Sequence, residues 1–259
     1  MNNFSNSAVQ SFGNVDSVHD PQPRDFAYSR LLSYIRMQMP SYLIGKHHQL
    51  IAYYLQKLEA GDVTRLAIFM PPRHGKTMLA SEFFSGWYMG RNPTHEIIFA
   101  SYAQDRSDDV GKAVRDLMLS EVHEEVFPEG KLRIDAKGTR KFQTIQDGTF
   151  FTTSWKGATT GRGANLLVLD DLIKDREDAQ SETNRRKREE WFSSSGYTRL
   201  MSDEGSPEGR ILLIMTRWAY DDIAAYLLNQ LAHEKWHILN CPAIAEEKDI
   251  LGRKEGEAL

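Results

Sequence analysis

The segment MPPRHGKT at residues 70–77 constrains this chain more than any other feature, because it lies between a short apolar run and a helical pattern. The run LAIFM at 66–70 is stopped by Pro71 and Pro72, which suits a strand buried on both faces. A helix is expected from about Lys76 to Met89. Strand, glycine-containing loop, Gly-Lys-Thr and helix together match the phosphate-binding pattern GxxxxGK[ST]. Gly75 lets backbone N–H groups approach a phosphate, and Lys76 can bridge β- and γ-phosphates. Thr77 offers a hydroxyl to Mg²⁺ at a helix N-terminus that already favours anions. Arg73, His74 and Met78 complete the expected cradle. Met70 stands where the pattern has its first glycine, so one element of the motif is missing.

A second chemical feature follows at a distance. LLVLDD at 166–171 is a buried strand ending in two carboxylates. In that context Asp170 is expected to hold Mg²⁺ and Asp171 to orient or deprotonate the attacking water. Asp171 is shorter than the glutamate usual at such a position, so its reach must be made up by backbone placement or an extra water. Strands and helices alternate elsewhere: EIIFAS at 96–101, a helix over 104–119, ILLIMT at 211–216, a helix over 221–231 and a strand at 236–239. Apolar residues at helical spacing predict helices between 28 and 58. Asp147-Gly148, between 141–145 and 149–155, predicts a local antiparallel hairpin insertion. The expected fold is therefore α/β: a P-loop NTPase with a mainly parallel central sheet, helices on both faces and a β-hairpin insertion.

With 259 residues, 41% of them hydrophobic, the chain can bury a large core. Cys241 is the single cysteine, so no intrachain disulfide forms. Apolar runs fall well short of the ~18 residues of a membrane span, and the chain is expected to be soluble. The polar stretch 1–27 reads as a flexible arm. A net charge of −4, from 32 basic and 36 acidic residues, argues against an autonomous nucleic-acid clamp. It leaves room for transient grip by a few basic residues; the run Arg185, Arg186, Lys187, Arg188 could contact phosphates or pair with Glu189 and Glu190.

The motifs PPRHGKT, SYAQDRSDDVGKAVRDLM, TTGRGANLLVLDDLIKDREDA, MTRWAYDDIAAYLL and LNCPAIAEE, in this order, resemble the large terminase subunits of tailed bacteriophages. The likeness runs from about residue 47 to 245. It implies an ASCE-class ATPase that uses ATP and Mg²⁺ to move double-stranded DNA into a procapsid in the host cytoplasm. Its implied partners are DNA, the portal protein, the small terminase subunit and further copies of itself in a ring, a pentamer by the same resemblance. Residues 28–245 would be the motor, and 246–259 a linker toward a nuclease domain absent from this chain. The resemblance also suggests that Arg162 stabilises the γ-phosphate in a neighbouring subunit, with Arg73, Arg106 and Arg115 as alternatives. It gives Thr216 a coupling role, with Arg217 and Trp218 next to it, and makes His48 and Gln49 candidates for reading adenine. A helicase-like repair ATPase and an ATP-binding assembly module with little hydrolysis remain as alternatives.

Overall fold

The computed structural model describes residues 22–203 and 208–259. Most of the expected arm, 1–21, lies outside them, but its last residues do not behave as an arm. Helix α1 (Pro23–Ser29) buries Ala27, whose carbonyl accepts a 3.0 Å hydrogen bond from the Trp87 indole. Helices α2 (Leu31–Gln38) and α3 (Lys46–Ala60) follow. Gly61, with φ 84°, ends α3 in the left-handed conformation that glycine adopts without steric cost.

The strands are β1 (Arg65–Phe69), β2 (Glu96–Ser101), β3 (Leu132–Lys137), β4 (Lys141–Thr144), β5 (Thr149–Ser154), β6 (Leu166–Asp170), β7 (Arg210–Met215) and β8 (Trp236–Asn240). They form one eight-stranded sheet in the order β3-β4-β5-β2-β6-β7-β1-β8. All pairings from β5 to β8 are parallel; β3-β4 and β4-β5 are antiparallel. The hairpin expected at Asp147-Gly148 is present as β4-β5. Its second strand also pairs with β2, so β5 belongs to the main sheet, and the antiparallel addition is the β3-β4 edge. Strand β7 sits between β6 and β1.

Every residue of β1, β5, β6 and β7 is buried, because helices cover both faces. One face packs against α1 to α3, the helix after the phosphate loop, α5 (Gln104–Met118) and α6 (Glu121–Val126). That helix opens with a wide π-helical turn, Met78–Phe83, before becoming α4 (Phe84–Arg91), where regular α-helix is expected from the sequence. The other face packs against α7 (Arg176–Gln180), α8 (Glu182–Trp191) and α9 (Ile223–Gln230).

The segment read as a linker, 246–259, folds back instead. Ile244 bridges Ala258 in antiparallel fashion, Leu259 N–H donates to the Ala243 carbonyl, and Leu251 and Leu259 pack on the core. Among the described residues no helix is long and apolar enough to cross a membrane.

Candidate active site

Parallel register brings the candidate residues together. Phe69 lies beside Met215, and Asp170 beside Ile214. The chain therefore leaves β1, β6 and β7 at one edge of the sheet, carrying the phosphate loop, Asp171 and Thr216 on adjacent strands. Met70, in place of the first glycine, is buried, and its carbonyl accepts a bond from Thr216 Oγ1 at 3.3 Å. The loop then turns through two left-handed residues, Arg73 at φ 65° and Gly75 at φ 78°.

Lys76 is buried, and its Nζ lies 2.8 Å from Thr216 Oγ1 and 2.9 Å from Asp171 Oδ2. The other Asp171 oxygen accepts from the Thr216 backbone N–H at 2.9 Å. Asp171 adopts φ 43°, and its own N–H donates to the Ile214 carbonyl at 2.8 Å. This left-handed backbone, which Asp tolerates better than most residues, turns the short carboxylate back toward Lys76.

Asp170 points into the protein. Ser81, in the π-helical turn, donates to its Oδ2 at 2.8 Å, and Thr77 also hydrogen-bonds the carboxylate. Its Oδ1 is buried and has no partner among the described residues. Burial, and then the charge of Asp171, raise the Asp170 pKa above the ordinary carboxylate value. A hard cation takes oxygen ligands and compensates a buried carboxylate. The orphaned Oδ1, on a carboxylate that Thr77 also acts on, fits Mg²⁺ in that sense.

A comparison of the sequence with known families decides the affiliation: the profile of the terminase large subunit, T4likevirus-type, N-terminal, matches residues 67–258. The chain belongs to this family. The structure is similar to the large terminase of bacteriophage HK97, at 14% identity and a TM-score of 0.49, covering 85% of this chain and 44% of that one. It is also similar to the large terminase ATPase domain of Thermus phage P74-26, at 14% identity and a TM-score of 0.43, covering 72% of this chain and 70% of that one. No curated protein matches.

The remaining candidates in this terminase chain fall into groups. Arg162 is not at the phosphate loop. Its guanidinium stacks on Phe151 of β5, 3.7 Å from the ring centroid, on the face covered by α7 to α9. The loop helix covers the other face, and β5 is four strand spacings from β1, about 19 Å. The structure thus places Arg162 against Phe151 and not in contact with Lys76, Asp170 or Asp171. Arg73 is exposed and has no partner among the described residues, while Met78 is partly exposed beside the loop. Arg106 faces Glu82 of the loop helix, and Arg115 pairs with Asp116 on the surface.

His74 Nδ1 lies 2.9 Å from the Pro72 carbonyl, which tightens the loop. His48 packs against Gly75, whereas Gln49 is exposed in the first turn of α3. Arg217 pairs with Asp222 at 2.8 Å and stacks over Phe69. Trp218, next to the expected coupling residue, is 41% exposed.

In the basic run on α8 the three arginines are paired, while Lys187 is exposed. Arg185 pairs with Asp221, Arg186 with Glu182, and Arg188 is buried against Asp178 and the Trp155 ring. Sequence reasoning missed Ser81 and Tyr42, because a lone serine or tyrosine in an apolar helical pattern carries no signal of what it will face.

Proposed function

We propose that this chain is an ATP-hydrolysing motor that translocates double-stranded viral DNA into a procapsid. The observation that carries the reading is the convergence of Lys76, Thr77, Asp170, Asp171 and Thr216 at one edge of the sheet, with Lys76 held between Asp171 and Thr216. Family membership supports the packaging role and, with it, DNA, the portal, the small terminase subunit and a ring of copies as partners in the host cytoplasm.

In the structure Lys76 neutralises Asp171. A triphosphate entering the loop competes for the same ammonium, since the loop amides and the helix N-terminus draw its charge to that point. As Lys76 turns to the phosphates, Asp171 loses its counter-charge and becomes free to accept a proton from water. Thr216 bonds both partners and ends β7, so it registers the exchange and can pass it to the sheet. Thr77 and Asp170 would hold Mg²⁺, which supplies charge neutralisation on the phosphates when bound. Arg162 acts on a nucleotide held by a neighbouring chain, where it meets charge developing in the transition state.

Lys76→Ala tests the reading: phosphate release and DNA packaging are both expected to vanish, and packaging by that variant at the normal level would overturn it. Phosphate release by the wild type at high protein concentration, where copies meet, separates a motor from a binding module that barely hydrolyses.

A further inference from the structure

Gly75 is held from outside the loop by two residues that precede β1 in the chain. The Gly45 N–H donates to His48 Nδ1 at 3.0 Å at the start of α3. His48 Nδ1 is therefore an acceptor, and the neutral ring carries its proton on Nε2. That nitrogen faces the loop: a Cβ built on Gly75 would lie 3.0 Å from it and 3.6 Å from the Tyr42 hydroxyl. His47 Nε2 is 3.2 Å from His48 Nε2, and the His47 ring lies edge-on to His74 at 6.4 Å. Beyond these groups, Arg253 from the C-terminal segment acts on His47. Tyr42 is wedged between the two elements, its ring 5.3 Å from His48 and edge-on to Phe83 of the loop helix at 5.9 Å. The Tyr42 hydroxyl is shielded from solvent and has no partner among the described residues. Folding leaves it unsatisfied, which costs free energy unless another state of the site uses it.

We propose that Tyr42 and His48 are positioning residues of the phosphate loop: His48 braces the Gly75 turn by packing the Nε2 edge of its ring against it, and the Tyr42 hydroxyl gains its hydrogen bond when the loop closes on nucleotide. The inference rests on reading residues 71–77 as a nucleotide loop. Neither residue touches the reacting atoms; both act through the conformation of residues 74–75. Because His48 accepts from Gly45 while its other nitrogen bonds His47 at the face of the loop, only a side chain with an acceptor and a donor can replace it. Glutamine meets that requirement and alanine does not.

The test measures binding of a fluorescent ATP analogue with Mg²⁺, together with steady-state hydrolysis and thermal unfolding, on the full chain and on Tyr42→Phe, His48→Ala, His48→Gln and Lys76→Ala. Tyr42→Phe is expected to unfold, without nucleotide, at the wild-type temperature or above it, and to bind the analogue about fivefold more weakly. A purely structural hydroxyl would not produce that split. His48→Ala is expected to raise KM for ATP about tenfold with a smaller change in kcat, and His48→Gln to stay within about twofold of wild type. Wild-type affinity in Tyr42→Phe, or equal losses in the two His48 variants, would overturn the inference while leaving the nucleotide loop intact. Absence of analogue binding by the wild type, or full binding by Lys76→Ala, would remove the loop reading and this inference with it.

Discussion

Asp171 is held by three contacts at once: the Lys76 ammonium, the Thr216 amide and, through its own N–H, the Ile214 carbonyl. Its positive φ turns the short side chain toward Lys76. Asp170 works differently, since burial costs its charged form and the Ser81 hydroxyl offsets part of that cost. A carboxyl whose folded pKa lies above its unfolded value favours the folded state fully below the unfolded pKa, and that contribution is lost as pH rises through the folded pKa. Without metal, this group's contribution to stability should therefore increase as pH falls from about 7 toward about 5. Asp170→Asn removes the buried charge and is expected to raise the melting temperature of the metal-free protein by roughly 2–4 °C, for a gain of about 1 kcal/mol. It should also abolish Mg²⁺-dependent hydrolysis. Calorimetry at both pH values checks this, and a lower melting temperature for the variant at about pH 7 would contradict it.

At the scale of elements, the phosphate loop is anchored at both ends. Met70 ties its start to β7, and the π-helical turn after Thr77 brings Ser81 under Asp170. Wide helical turns of this kind are uncommon and recur at functional sites. The antiparallel edge is attached by a different device. On α5, Gly111 approaches the hairpin so closely that an added Cβ would meet the Thr139 carbonyl and come within 2.8 Å of the Thr152 methyl. Gly111→Ala must push α5 away from β5, at an expected cost of about 1–3 kcal/mol in chemical denaturation. The effect on nucleotide binding should be smaller than that on stability, because Gly111 itself faces Thr139 and Thr152 rather than the loop. A loss of binding as large as the loss of stability would mean that the edge and the site are coupled.

At the scale of the whole molecule, the sheet separates the halves of the proposed catalytic apparatus. Lys76, Asp170 and Asp171 gather at β1 and β6, while Arg162 lies against β5 on the opposite face. The proposed role of Arg162 is to complete the site of another copy. Asp171→Asn is expected to bind ATP without hydrolysing it, and Arg162→Ala to be inactive as a homogeneous population. Mixing the two should restore part of the activity, because an Asp171→Asn subunit can lend Arg162 to a neighbour that retains Asp171. Phosphate release that stays at background at every mixing ratio would take Arg162 out of that role.

The chemistry of residues 70–77 and 166–171 was legible from sequence because it rests on local signals. An apolar run of strand length, a proline stop, a glycine turn and a helix pattern determine where a loop must form and which side chains it presents. The alternation of such runs also determined a mostly parallel, doubly covered sheet. Neighbour order was not legible, because an apolar strand declares that it is buried but not what lies beside it. Hence β5 reads as part of an insertion and is a member of the main sheet, while the 246–259 segment reads as a linker and packs on the core. The buried arginines that begin β1 and β7, Arg65 with Glu234 and Arg210 with Asp203, look like surface charges until distant acids are brought to them. The same holds for His48 against Gly75 and for Arg162 set apart from Lys76. Local periodicity determined the elements and the loop chemistry; only tertiary packing, which joins residues far apart in the chain, decided which side chains meet.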